Sequence, residues 1–217
     1  MPLSLVSHMS SGVLGLSLVH WSIYSTVFDL PSVLSRLVGL GYSVGRAQFV
    51  GGDVVVEYLV DEAMNNVVAK RRFENDTIRV LYDGGRRAIG VMGGSKDSLT
   101  VGLAELYRAL NESKVPEPQV TELLVSYTDR LTVCPDRSIE FGNLKLQQRG
   151  LTLMWGEPQG KSLYTVITPV SSDRSLVMIG ARGEWGFTID VLRQIGDLIV
   201  GIRKLDCSQA QGHPRST

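Results

Sequence analysis

The chain has 217 residues, with 22 Lys and Arg matched by 22 Asp and Glu, 43% hydrophobic residues and 20% charged ones. That composition excludes a largely disordered chain, and zero net charge removes any global field drawing the molecule to polyanions. Two cysteines exclude a disulfide-dense scaffold and a Cys-rich zinc module, and no uninterrupted apolar run approaches the roughly 20 residues of a membrane helix.

Residues 1–12 have no periodicity and are expected to be loose. Residues 13–23, VLGLSLVHWSI, have the apolar character of a signal peptide. No basic residue precedes them, the first being Arg36, so they read as part of a strand over 14–27 and the protein as cytoplasmic. Asp29 is a good N-cap, and Pro31 suits a first helical turn. Leu30, Val33, Leu34, Leu37 and Val38 then form one apolar helical face, which ends at Gly39 and Gly41.

Strand-like stretches follow at 54–60, 67–73, 77–82 and 87–92. Asp83-Gly84-Gly85-Arg86 is a hairpin signal, because a tight primed turn needs positive φ at its centre. With Gly84-Gly85 as the turn, Tyr82 faces Arg87, Val80 faces Ile89 and Ile78 faces Val91. Arg79, Leu81, Asp83, Arg86 and Ala88 then fall on the opposite face. Gly93-Gly94-Ser95 lead into a helix capped by Ser95 or Asp97, with Leu99, Leu103, Leu106 and Leu110 on one side. Asn111 to Gln119, polar with two prolines, reads as a linker.

The second half predicts strands near 122–133, 139–147, 150–155, 162–170 and 175–182, with a turn at Cys134-Pro135-Asp136-Arg137. Thr188 or Asp190 opens a C-terminal helix with Leu192, Ile195, Leu198, Ile199 and Ile202 on its apolar side. The polar tail 206–217 is expected to be disordered. Cys134 and Cys207 are expected as free thiols of a reducing compartment; a bridge between them would tether the tail.

These elements predict an α+β fold, mainly antiparallel sheet with two or three long amphipathic helices, in two halves at 13–115 and 116–205. Both halves end alike, Ala88-Ile89-Gly90-Val91-Met92-Gly93 before one helix and Val177-Met178-Ile179-Gly180-Ala181-Arg182-Gly183 before the other. That points to an internal duplication. The order strand, helix, antiparallel strands, helix is similar to one repeat of the TATA-binding-protein fold. It also resembles a helix-grip fold, in which a curved sheet wraps a long C-terminal helix. A resemblance of element order implies architecture and not function.

The residues that carry chemistry are sparse. His8, His20 and His213 are the only histidines, and H-E-x-x-H, C-x-x-C and Gly-x-Ser-x-Gly are absent. No metal, cofactor or catalytic residue is expected. Gly90-Val91-Met92-Gly93-Gly94-Ser95-Lys96-Asp97-Ser98 departs from the Walker A pattern, with Ser95 where glycine is needed and Asp97 where Ser or Thr is needed. It keeps only the general ability of a helix N-terminus to hold an anion.

Two surface features remain. Lys70, Arg72, Arg79, Arg86 and Arg87 form a basic cluster that could meet nucleic-acid phosphates, while Glu57, Glu74, Asp76 and Asp83 lie close enough to neutralise it. Trp155 with Glu157, and Glu184 with Trp185, could rim a small-ligand pocket between sheet and C-terminal helix. The expectation is a non-catalytic binding or assembly protein, a homo-oligomer without membrane association, with nucleic-acid or small-ligand binding as alternatives.

Overall fold

A computed structural model of the chain describes residues 13–44, 46–50, 53–57, 66–133, 138–141, 144–147, 150–157 and 159–207. The expectations for 1–12, for the Cys134 to Arg137 turn, for the tail beyond Cys207, and for His8 and His213 lie outside these residues. Among the described residues the protein is a mixed α and β structure with one large antiparallel sheet and four helices. In chain order the elements begin β1 (Leu14–Ile23), α1 (Leu30–Gly39), β2 (Ser43–Val44), β3 (Arg46–Val50), β4 (Asp53–Glu57), β5 (Val67–Phe73), β6 (Asp76–Asp83), β7 (Ala88–Gly93) and α2 (Lys96–Glu112). They continue with β8 (Val120–Asp129), β9 (Ser138–Phe141), β10 (Leu144–Gln147), β11 (Leu151–Gly156), β12 (Ser162–Pro169), β13 (Ser175–Gly183), α3 (Trp185–Arg193) and α4 (Ile195–Arg203). β3 pairs with β4, and β9 with β10, as separate two-stranded sheets. The chain divides into two compact units. The first is Ser17–Leu123 with Gly183–Trp185, and the second is Leu124–Arg182 and Gly186–Thr217 with Met1–Leu16.

In the first unit the strand order is β2-β5-β6-β7-β1. Asp29 caps α1 by accepting from the Ser32 N–H at 3.4 Å, and Leu30, Val33, Leu34 and Leu37 are buried. α2 lies close on the sheet at Gly102, where a Cβ would come within 2.6 Å of Ile78 and Val91. On the far face Trp21 lies across Gly90 and gathers Val67, Leu81 and Ala88 into a second apolar cluster.

The hairpin register differs from the expectation. The ladder ends at Asp83↔Ala88, so Tyr82 faces Ile89 and Val80 faces Val91. The connection is the four residues 84–87. Its turn is closed by the Arg87 N–H donating to the Gly84 carbonyl at 3.3 Å, and Asp83 Oδ1 accepts from the Arg86 N–H at 3.0 Å. Arg87 supplies the left-handed residue, at φ +51°. A turn of this length keeps Ile78, Val80 and Tyr82 on one face, as expected, but removes Arg86 and Arg87 from the ladder.

In the second unit the order is β11-β12-β13-β8. Tyr164 lies across Gly180 of the neighbouring strand, so closely that a Cβ there would fall 2.1 Å from the ring. The expected single C-terminal helix is two. α3 begins at Trp185 rather than Thr188 or Asp190, and Gln194, without a side-chain cap, separates it from α4. The described residues therefore hold one helix more than expected. Arg203 at the end of α4 donates to both oxygens of Asp129 on β8, at 2.7 and 3.3 Å, and the Asp129 side chain is almost fully buried. Cys207 is disulfide-bonded, which corrects the expectation of a free thiol there, and its N–H donates to the Thr132 carbonyl at 3.1 Å. Cys134, the other cysteine of the sequence, lies outside the described residues.

Candidate binding surfaces

The second unit contains an open apolar groove of about 280 Å³ between β11, β12 and α4. Its sheet wall includes Leu153, Trp155, Leu163 and Thr165, and its helix wall Leu198, Gly201, Ile202 and Leu205. The ladder explains the wall. Leu153 pairs with Thr165 and Trp155 with Leu163, and these partners continue to Ile179 and Ala181 on β13. Thr165, Ile179 and Ala181 are buried, whereas Leu153 is 44% exposed and Trp155 57%. The groove thus runs from the core out onto strand β11, whose residues after Leu151 are all exposed. Trp155 leans on Phe187 of α3 at 5.9 Å between centroids, and the Lys161 ammonium sits 4.6 Å above the Phe187 ring.

Of the residues expected at a pocket rim, Trp155 is in the groove wall and Glu157 is exposed just past the end of β11. Trp185 is elsewhere. It belongs to the first unit, stacked on Tyr107 at 5.2 Å and edge-on to His20 at 5.0 Å. Glu184 is exposed beside it.

The basic cluster resolves into three kinds of position. Lys70 on β5 pairs directly with Arg79 on β6, and Arg72, two residues on, shares their face. Arg71 points the other way and joins Glu105 of α2 at 2.7 and 2.8 Å, where the Tyr42 hydroxyl also donates at 2.8 Å. Arg86 and Arg87 are spent in the turn region, on Glu122 at 2.6 Å and on the Ser25 carbonyl. The stripe therefore contains Lys70, Arg72 and Arg79, with Arg79 also donating to the Thr77 carbonyl at 3.3 Å.

The N-terminus of α2 already holds an anion, supplied by the chain. Asp76 accepts from the Gly94 N–H at 2.8 Å and from the Ser98 hydroxyl, while Ser95 and Ser98 cap each other. Burial pushes the Asp76 carboxyl up. The hydrogen bonds from Ser98, Thr77 and Gly94, with Arg79 nearby, outweigh that and hold it below its ordinary value. A Cβ at Gly94 would approach Asp76 to 3.1 Å, so the glycine-rich turn serves this internal contact.

Among the described residues no three His, Cys, Asp or Glu side chains gather as a metal set, and no helix is long and apolar enough to cross a membrane. His20 is fully buried, and burial pushes its imidazole down to about 4. No protein-family model matches the chain and no curated protein matches it. Sequence reasoning placed a strand over 150–155 and named Trp155, and overlooked Leu153 and the small residue Gly201 in α4 as parts of the groove. The signal was present as six consecutive residues without a charge.

Proposed function

We propose that the protein is a non-catalytic binding and assembly protein, and that its working surface is the groove between β11, β12 and α4. The observation that carries this reading is the continuity of buried core with exposed Leu153 and Trp155. Metabolite sites place a few convergent polar groups among apolar walls. This groove is open and almost wholly carbon-lined, which favours an apolar protein segment over a small polar ligand.

The test exploits Gly201, where an added Cβ would meet nothing within 4 Å. Gly201→Phe fills the groove and replaces a helical glycine, so folding is not expected to suffer. Wild type should enhance 8-anilinonaphthalene-1-sulfonate emission with energy transfer from Trp155, and G201F should lose most of that signal. Equal emission from both proteins would defeat the reading.

A polyanion reading has one observation in its favour: Lys70, Arg72 and Arg79 share one face of β5 and β6. Salt-sensitive binding of a single-stranded oligonucleotide, lost in K70E/R79E, is its test.

An internal duplication accompanies the main reading. The two units share a strand order, β5-β6-β7-β1 and β11-β12-β13-β8, each with a helix after its third strand in this order, and Gly90 and Gly180 are both overlaid by an aromatic ring. This supports TATA-binding-protein-like repeats better than a helix-grip, since the C-terminal helix is broken. A cytoplasmic location also belongs to this proposal. The Cys207 disulfide weighs against it, because such bonds persist mainly in oxidising compartments.

A further inference from the structure

We infer that the protein covers this groove with its own N-terminal segment, residues 1–12, so that an outside partner has to displace it. The inference rests on the groove reading and names the occupant that the groove has before any partner arrives.

The groove holds about 280 Å³, and no charged side chain lines it. Pockets for drug-sized ligands run from about 300 to 1,000 Å³ and enclose most of the molecule. An open site below that range takes a few aliphatic side chains instead, and its occupant has to be uncharged where it touches the walls.

Two ends of the chain belong to this unit and lie outside the described residues: 1–12, which lead into β1, and 208–217, which follow Cys207. Their chemistry separates them. Residues 1–12 contain Leu3, Leu5, Val6 and Met9 and no Lys, Arg, Asp or Glu. Residues 208–217 contain one aliphatic side chain, Ala210, and a charge at Arg215. Only the N-terminal segment suits a carbon-lined wall.

The topology delivers that segment to the right end of the groove. Leu14 to Leu16, the first residues of β1, belong to the second unit, where β8 is their neighbour in the sheet. At the far end of these two strands the Gln119 N–H, just before β8, donates to the carbonyl of Ile23, the last residue of β1, at 2.8 Å. The strands therefore run in opposite directions, and β1 starts where β8 ends, at Asp129. Asp129 holds Arg203 at the C-terminal end of α4, and Leu205 just beyond Arg203 lines the groove. The segment thus enters the fold beside the helix end that forms one wall.

Reach is sufficient. In the strand order β11 stands four places from β1, about 19 Å at the usual strand spacing. The nine-residue span from Leu5 to Leu14 covers about 30 Å when extended. Leu14 is itself 55% exposed, so the path from β1 to Leu153 and Trp155 begins and ends on uncovered apolar surface.

The test titrates 8-anilinonaphthalene-1-sulfonate into wild type, into a variant lacking residues 2–12, and into the full-length double variant Leu3→Ser/Leu5→Ser. A tethered segment meets its site at an effective concentration on the order of millimolar, so removing it should tighten probe binding about threefold or more. The double variant should match the deletion, and because it keeps the chain length its result stands even where the deletion folds poorly. A peptide of residues 1–12 added to the deletion variant should displace the probe, and the same peptide with both leucines replaced by serine should not. In a Gly201→Phe background the deletion should change nothing. Equal probe affinity in wild type and the double variant would overturn self-covering and leave the groove reading standing, as would a gain that persists with Gly201→Phe. Absence of probe binding in wild type and both variants overturns the groove reading as well.

Discussion

The two units have strands in comparable order, β5-β6-β7-β1 and β11-β12-β13-β8, and different surfaces. In the first, helices cover one face of the strands, Trp21 and its neighbours cover part of the other, and β5, flanked by the two-residue strand β2, is charged. In the second, α4 leaves a gap over β11 and β12, and the outer strand is apolar. The difference teaches where to look for function: exposed apolar surface beside a packed core is where a sheet departs from its own burial pattern.

Each unit also ties a helix to a strand with an arginine–carboxylate pair, and the pairs differ in burial. Asp129 is 4% exposed in its pair with Arg203, whereas Glu105 is 23% exposed in its pair with Arg71. Arg203→Met leaves a buried carboxylate without its partner and should cost about 3 kcal/mol or more in chemical denaturation. Glu105→Gln keeps the shape of a partly exposed pair and should cost about 1 kcal/mol. Equal losses would mean that burial does not distinguish the two ties.

Among the described residues, the first unit alone contains a buried imidazole. Unfolded, His20 takes a proton near pH 6.5; folded, only near pH 4. Below pH 6.5 the unfolded state therefore binds more protons, and stability contributed by neutral His20 is lost as pH falls toward 4. The full loss is about 3 kcal/mol by the usual conversion of pKa into free energy. Thermal melts from pH 7 to 4.5 should flatten in His20→Phe relative to wild type. Parallel curves would show that His20 is not the source of acid sensitivity.

Much of this was legible in the sequence because local chemistry decided it. Asp29 and Pro31 fixed the start of α1, and the 3–4 residue spacing of Leu99, Leu103, Leu106 and Leu110 fixed the buried side of α2. The hairpin register was misread because Gly84-Gly85 suits a two-residue turn, while the structure uses Arg87 at positive φ and a longer loop. The break at Gln194 has no glycine or proline to announce it. The site was half legible. Trp155 stood out as an aromatic near a strand end, but Trp185 carried the same local signal and packs on Tyr107 and His20 instead. Which tryptophan lines a groove depends on what packs against it, and that is a tertiary property.

The smallest expected effect concerns the charged strand β5 itself. Lys70 directly opposite Arg79 is repulsive, by a few tenths of a kcal/mol at the surface, unless something anionic offsets it. Asp76 is close enough to Arg79 for their charges to interact, which offsets part of this repulsion and leaves Lys70 still facing a like charge. Lys70→Thr should therefore stabilise the protein by about 0.3 kcal/mol in low salt, and the gain should vanish in about 1 M NaCl, where exposed charges are screened. The measurement is a pair of denaturant midpoints at two salt concentrations. A stabilised variant means that the charge at Lys70 is kept at a cost to folding, as polyanion contact requires. A destabilised variant means that Lys70 serves the fold, and the contrast between charged β5 and apolar β11 loses its first half.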